Sequence, residues 1–217
     1  MKRVSKLLAV ALALVMALTI CGCGSGSDSV KDLVGTWSLE YDMANLLAGE
    51  MGDEFAGFNA PLEMTICFEF KEDKTFTMYG EPESFKANYG TWLDEFLAFA
   101  TEMMYTESSN QGVDKETADA GFEAQYGSSI EDYLRQTFES EVDVDSLLDE
   151  MTTNGKYDTK GDKLYMAEEG SEIDKNAYDV FTISGDALKL ELPSGADPSQ
   201  GEILPGLEYP LEFKKAK

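Results

Sequence analysis

The chain has 217 residues, of which 42 are acidic and 17 basic, so its net charge is −25, and it contains no histidine. This charge repels the phosphate backbone of nucleic acids, which excludes binding of DNA or RNA. The lack of histidine excludes Ser-His-Asp and Cys-His catalytic pairs and zinc sites built on imidazole.

The N-terminus has the layout of a secretory signal peptide. An apolar run over residues 7–20 follows three cationic residues, Lys2, Arg3 and Lys6. This run is too short to cross a bilayer as a stable helix. Small residues follow this run. The sequence therefore predicts an exported, extracytoplasmic protein. Without those three cations its net charge is −28, from 14 basic and 42 acidic residues.

The predicted signal ends in Ile20-Cys21-Gly22-Cys23, which resembles the lipobox of bacterial lipoproteins. In that family a small residue precedes a cysteine that becomes the lipidated first residue. Cys23 fits because it follows Gly22, whereas Cys21 follows the bulky Ile20. The resemblance implies removal of residues 1–22 and a fatty-acid anchor, such as palmitate, on Cys23 in the bacterial cell membrane. An ordinary signal peptide with incidental cysteines is the alternative.

A short tether over residues 23–32 is predicted to lead into a β-domain that spans 33–214. Residues 62–70 alternate strictly between apolar and polar side chains, which is typical of a half-buried strand. The polar turn 72–74 then reverses the chain, and the alternation resumes over 75–79. With a first strand over 33–43, these segments predict three strands at the start of the domain.

A helical insertion is predicted over residues 84–153. Apolar residues recur at intervals of three and four over 84–105, which places them on one side of a helix. A second helix is predicted over 114–127, a third begins after Ser128 or Ser129, and a short one follows Asp143 or Asp145. Residues 81–153, which include this insertion, carry 18 acidic residues against three basic ones.

Five more strands are predicted after the insertion: 155–160, 163–167, 177–183, 187–192 and 207–214. The fold class is therefore mainly β with a helical insert, an eight-stranded antiparallel up-and-down barrel interrupted between strands three and four. The inward positions carry mostly large side chains, which favours a filled interior. The long connections alternate with tight turns, so they should gather at one end, the mouth, with the tight turns at the other end, the floor.

The first strand opens with Gly35-Thr36-Trp37, which resembles the Gly-x-Trp signature of lipocalins and of the lipocalin-like domains of bacterial lipoproteins. The long first connection agrees with that layout. Two features depart from it: no Thr-Asp-Tyr lies near the turn at Gly185, and no arginine is placed to pack over the tryptophan. Lys214 or Lys215 is the expected substitute. The resemblance implies a barrel and binding of a small apolar or amphipathic ligand at its mouth.

Four aromatic residues are the candidate ligand-binding residues: Phe55 and Phe58 in the first long connection, and Trp92 and Phe96 on the first helix of the insert. Packing of this helix against its neighbours is the alternative explanation of its apolar side. Two other functions remain open. One is a protein-interaction or envelope-structural module, in which the barrel is filled and the acidic insert binds a cationic partner. The other is a carboxylate-based hydrolase.

The sequence gives little support for catalysis. Cys67, the free cysteine left after acylation of Cys23, has no cation nearby and is predicted to be an unreactive thiol, facing solvent or covered by a loop. Several carboxylates near Asp143 could bind calcium weakly, but helix capping explains them equally well. We therefore predict a non-catalytic protein without cofactor or metal.

Overall fold

The alternating segments of the sequence form a closed barrel, and the segment with helical periodicity forms helices that project from it. The computed structural model describes residues 30–44, 57–196, 202–204 and 207–216. The predicted signal peptide, Cys23 and Phe55 lie outside these ranges.

The described part of the chain has ten strands: β1 (Gly35–Asp42), β2 (Glu63–Phe70), β3 (Thr75–Gly80), β4 (Thr153–Lys160), β5 (Lys163–Glu168), β6 (Asp179–Ser184), β7 (Ala187–Glu191), β8 (Glu202–Leu204), β9 (Leu207–Glu208) and β10 (Leu211–Lys215). Eight of these strands build the barrel wall, and their order around it is β1-β10-β7-β6-β5-β4-β3-β2. All neighbouring strands are antiparallel. The helical insertion lies between the third and fourth strands, as predicted.

Five helices lie within the described residues. A four-residue helix precedes β1, where the sequence predicted only tether, and the other four form the insert. The helices are α1 (Val30–Leu33), α2 (Pro82–Asn110), α3 (Lys115–Tyr126), α4 (Ile130–Glu141) and α5 (Val144–Met151).

The final predicted strand, 207–214, is divided into two. Its first part, β9, pairs with β8 in a separate two-stranded ribbon, and only β10 joins the barrel. Pro210 separates the two parts, and proline has no N–H to donate to a strand ladder. Leu207 is nevertheless buried in the core, so the ribbon packs onto the mouth of the barrel.

Tight turns over 71–74, 161–162 and 185–186 lie at the floor, and the chain enters β1 and leaves β10 at the same end. Gly35 at the start of β1 is opposite Phe70, the last residue before the first of these turns. The prediction that tight turns share one end is confirmed. The connection over 169–178 starts at the mouth but folds back along the outer wall, because Lys175 pairs with Asp158 of β4 at 2.6 Å.

The insert helices begin and end where the sequence places capping residues. Asp114 accepts a hydrogen bond from the Thr117 amide at the start of α3, and Ser129 does so from the Asp132 amide at the start of α4. Gly127 ends α3 with φ of 80°, a left-handed conformation that favours glycine. Asn88 of α2 donates to the Glu63 carbonyl at 2.9 Å, which fixes the insert at the mouth.

The barrel interior is filled by aromatic side chains. Phe70 lies 5.1 Å from Tyr157 between ring centroids, and Phe68 lies 5.5 Å from Phe213, both edge to face. Such pairs add to the free energy gained from burying their apolar area. Side chains therefore fill most of the space between the walls, as the large inward residues predict.

Trp37 closes the floor. Its indole Nε1 donates to the Leu33 carbonyl oxygen at 2.7 Å, so α1 is fixed against the first strand. The Nζ of Lys215 lies 5.1 Å from the centre of the Trp37 ring. Lys215, one of the two lysines expected from the sequence, thus supplies the cation over this tryptophan.

Candidate functional site

Three of the four predicted ligand-binding residues come together at the mouth. The ring of Phe58 lies 5.6 Å from that of Trp92 and 5.3 Å from that of Phe96, both edge to face. Trp92 and Phe96 are one helical turn apart on α2, and their rings stack at 5.4 Å with an interplanar angle of 4°. The fourth residue, Phe55, lies outside the described residues.

This aromatic cluster is closely packed. Trp92 and Phe96 are buried, and further rings from Tyr89, Phe99 and Phe138 surround them. Neither of the two cavities described below is lined by Phe58, Trp92 or Phe96. The indole N–H of Trp92 is buried and has no hydrogen-bond partner among the described residues. Ligand binding at this cluster therefore stays a prediction, in which the Trp92 N–H donates a hydrogen bond to the ligand.

A second group of aromatic side chains faces solvent on the insert, and we call it the aromatic patch: Phe122, Tyr126 and Tyr133. The ring of Tyr126 lies 4.4 Å from that of Phe122 and 4.9 Å from that of Tyr133. Tyr126 is 48% exposed and Tyr133 38% exposed, and no other large apolar side chain in the described part of the chain is exposed. The patch sits where α3 ends and α4 begins.

Two of the three patch residues lie on α3, the least buried helix of the insert. No residue of α3 is buried, whereas α2 and α5 both bury residues in the common core. Exposed carboxylates lie close to the patch residues in the sequence of α3 and α4, including Glu123, Glu131 and Asp132. The aromatic patch therefore combines exposed apolar area with a strongly negative surrounding potential.

A groove of about 440 Å³ lies on another face of the insert, between α2 and α4. Its apolar lining includes Leu93, and charged side chains stand at its edge. Arg135 donates to Asp94 at 2.8 Å across the two helices. Burial and the nearby Glu139 carboxylate raise the pKa of Tyr89 above its ordinary value. The groove is lined by Tyr89, Gly90, Leu93, Asp94, Arg135, Glu139, Val142 and Val144.

The barrel interior holds a small cavity of about 30 Å³ near the mouth. Asp179, the first residue of β6, lines it and is only 1% exposed. The Tyr209 hydroxyl donates to Asp179 Oδ1 at 2.8 Å, while Asp179 Oδ2 has no partner in the described structure. Burial raises the pKa of Asp179 to about 7, against the lowering effect of the Tyr209 hydrogen bond. The other lining residues are apolar.

Cys67 lies on the outer side of β2, as the alternation predicts, but it is buried rather than exposed to solvent. Tyr79 is its direct neighbour on β3 and hydrogen-bonds with the thiol. Burial raises the pKa of Cys67 despite this hydrogen bond, and the carboxylates of Glu81 and Glu40 raise it further. The thiol is therefore an unreactive group of the wall, in agreement with the prediction that its thiolate is disfavoured.

The carboxylates near residue 143 cap a helix. Asp143 accepts hydrogen bonds from the Asp145 and Ser146 amides and from the Ser146 hydroxyl at the start of α5. Within the described ranges no group of three or more carboxylate or cysteine side chains could hold a metal ion. Capping therefore explains this cluster, one of the two interpretations that the sequence left open.

Comparison with known proteins gives no relative of this chain. No protein-family model, curated protein or solved structure matches it. Among the described helices, none is both long enough and apolar enough to cross a lipid bilayer. Functional inference for this protein therefore depends on its own geometry and charge.

Sequence reasoning missed the buried acid and the aromatic patch. Asp179 stands one position after Tyr178 in a segment without clear alternation, so its inward direction was not evident. Phe122 and Tyr126 are four residues apart on α3, a helical spacing that predicts burial as readily as exposure, and Tyr133 lies on α4. A signal for the patch did exist, because α3 carries few apolar residues to bury.

Proposed function

We propose that this protein is a membrane-anchored extracytoplasmic lipoprotein that binds a cationic polypeptide through its helical insert. In this proposal the barrel is a non-catalytic scaffold that fixes the insert at the end opposite the anchor. The observation that carries the proposal is the aromatic patch, in which Tyr126 and Tyr133 are exposed on the most acidic part of the chain.

The filled barrel favours this function over binding of a ligand inside the wall. The interior cavity near the mouth measures about 30 Å³, whereas pockets for drug-sized molecules usually measure roughly 300–1,000 Å³. The scaffold also presents the insert favourably. Entry into β1 lies at the floor, so a lipid on Cys23 would leave the mouth and the insert directed away from the membrane.

The chemistry of the patch defines the expected partner. Exposed tyrosines are frequent energetic centres of protein interfaces, because they bury a large apolar area at low cost in side-chain entropy. Residues 81–153, which include the insert, carry 18 acidic residues against three basic ones, and this charge accelerates association with a basic segment and opposes an acidic one. We therefore expect a lysine- or arginine-rich segment with an apolar or aromatic anchor.

Site-specific photo-crosslinking of the full-length protein in its native membrane tests this function. A photo-reactive benzoylphenylalanine at position 126 should capture a polypeptide through a basic segment, and the same group at Thr182 on the outer barrel wall should not. Capture should fall at high salt and after Tyr133→Ser. Equal capture at both positions, or capture of an acidic segment, would contradict the proposal.

Binding of a small apolar or amphipathic molecule at the mouth is the second candidate function. The unpaired Trp92 N–H beside Phe58 and Phe96 favours it, because a buried donor without a partner is costly unless a ligand accepts from it. Native mass spectrometry of protein purified from its own cells separates the two functions. A copurifying small molecule of defined mass supports this second function, and a copurifying basic polypeptide supports the first.

A further inference from the structure

The barrel interior contains a carboxyl group whose surroundings do not satisfy it. Asp179 is 1% exposed, and among the residues that the structure describes only one of its two side-chain oxygens has a partner, the Tyr209 hydroxyl. Buried carboxyl groups in folded proteins are normally paired with a cation or fully hydrogen-bonded. An unpaired acid in an apolar interior lowers stability, so it calls for an explanation in terms of what the cavity can hold.

No described cation of the barrel forms an ion pair with this carboxyl. Asp179 takes part in none of the ion pairs formed by the described residues. Lys163 lies opposite Val180, the next residue of β6, but its Nζ is 4.2 Å from the ring centre of Tyr178. Asp179 and Tyr209 are the two polar side chains that line the cavity, and every other lining residue is apolar.

The cavity has the size of one small polar group. Its volume is about 30 Å³, and a cavity needs roughly 10–15 Å³ to hold one water-sized molecule. Calcium takes six to eight oxygen ligands, and this cavity presents only two carboxylate oxygens and one phenol oxygen, so a metal ion is poorly matched. A primary ammonium group has the right size and donates hydrogen bonds in several directions.

We propose that the cavity beside Asp179 and Tyr209 is a binding site for a primary ammonium group, supplied by ammonium ion or a small alkylamine. The ammonium donates to the unpaired Asp179 Oδ2 and balances the carboxylate charge inside the barrel. The apolar walls, which include Phe68, Leu190 and Phe213, contact the alkyl part of the amine. Water in the same place satisfies the oxygen but leaves the charge unbalanced.

Two organic cations that differ in size and in N–H donors provide the test. The full chain is titrated at pH 8 with methylammonium chloride and, separately, with tetramethylammonium chloride at the same ionic strength. The two salts carry the same charge, but only methylammonium has N–H donors and fits the cavity. We expect methylammonium to raise the Tm by about 3 °C when its concentration is about ten times the Kd, and tetramethylammonium to have no specific effect.

Two variants locate the effect. Asp179→Asn removes the carboxylate charge and should abolish the difference between the two salts. Asp158→Asn changes a carboxylate of the outer wall and should leave that difference intact. Equal Tm shifts with both salts, or a difference that persists in Asp179→Asn, would overturn the proposal.

A spectroscopic measurement keeps the test independent of the folding of any variant. The carbon-13 signal of the Asp179 carboxyl in the unsubstituted protein reports its ionisation directly. Methylammonium should lower the pKa of Asp179 because it stabilises the ionised form, and tetramethylammonium should not. An unchanged titration curve with both salts would show that the cavity holds only water.

Discussion

The barrel buries its aromatic side chains and an acidic side chain, whereas the insert exposes part of its aromatic side chains and its acidic ones. In the barrel, Phe70 and Tyr157 are each 1% exposed and pack ring against ring, whereas in the insert Tyr126 is 48% exposed. Among the described residues, the barrel buries one carboxyl, Asp179, while the carboxylates of the insert lie on the surface. The difference indicates a division of labour, with stability supplied by the wall and recognition supplied by the helices.

The largest expected effect comes from a matched pair of truncations. Phe70→Ala removes a buried ring that contacts Phe68, Phe76 and Tyr157, and it should lower the free energy of unfolding by about 3–5 kcal/mol. Tyr126→Ala removes an exposed ring and should change it by about 0.5 kcal/mol. Urea denaturation followed by circular dichroism measures both. Similar losses would contradict the division between wall and insert.

The next effect is the pH dependence produced by Asp179. Burial holds its pKa near 7 in the folded protein, well above the ordinary value of 3.8. The folded state therefore keeps a proton that the unfolded chain releases, so stability falls as the pH rises from about 4 to about 7 and is constant above that range. The loss is on the order of 4 kcal/mol over the whole window.

Asp179→Asn should remove this slope, because an amide does not titrate. At pH 8 the variant is expected to have a higher free energy of unfolding than the unsubstituted protein, and at pH 4 the two should be similar. Denaturation curves at several pH values provide the measurement. An unchanged slope in the variant would show that another group causes the pH dependence.

The smallest effect belongs to the outer wall of the barrel. Asp158 pairs with Lys74 at 2.8 Å and Lys175 at 2.6 Å, and these cations lower the pKa of Asp158 to about 2. The contribution of this group to stability is present above pH 4 and is lost as the pH falls through about 2. Because the pair is partly exposed to solvent, Asp158→Asn should cost only about 1 kcal/mol at pH 7.

Urea denaturation at pH 7 in low and high salt checks this prediction. The difference between Asp158→Asn and the unsubstituted protein should shrink at high salt, since surface ion pairs are screened. A salt-independent loss of several kcal/mol would mean that the loop over 169–178, which carries Lys175, depends on this carboxylate for its whole conformation.

The sequence by itself determined the architecture of the barrel. Strict alternation of apolar and polar residues in segments such as 62–70 identified the strands and their inward faces. Tight turns and long connections follow one another in turn along the chain, which placed the tight turns at one end of the barrel and the long connections at the other. Capping residues such as Asp114 and Ser129 located the helices. These features are local, so they can be read from neighbouring residues without knowing what packs against them.

The tertiary structure decided the burial of Asp179, the division of the last strand at Pro210 and the exposure of Tyr126. It also decided that the connection over 169–178 runs down the outer wall. Each of these depends on which distant segments meet: Tyr209 reaches Asp179 across 30 positions of sequence, and Lys175 reaches Asp158 across 17. Alternation identifies the face of a strand that a side chain occupies, but only the closed barrel fixes its partner there.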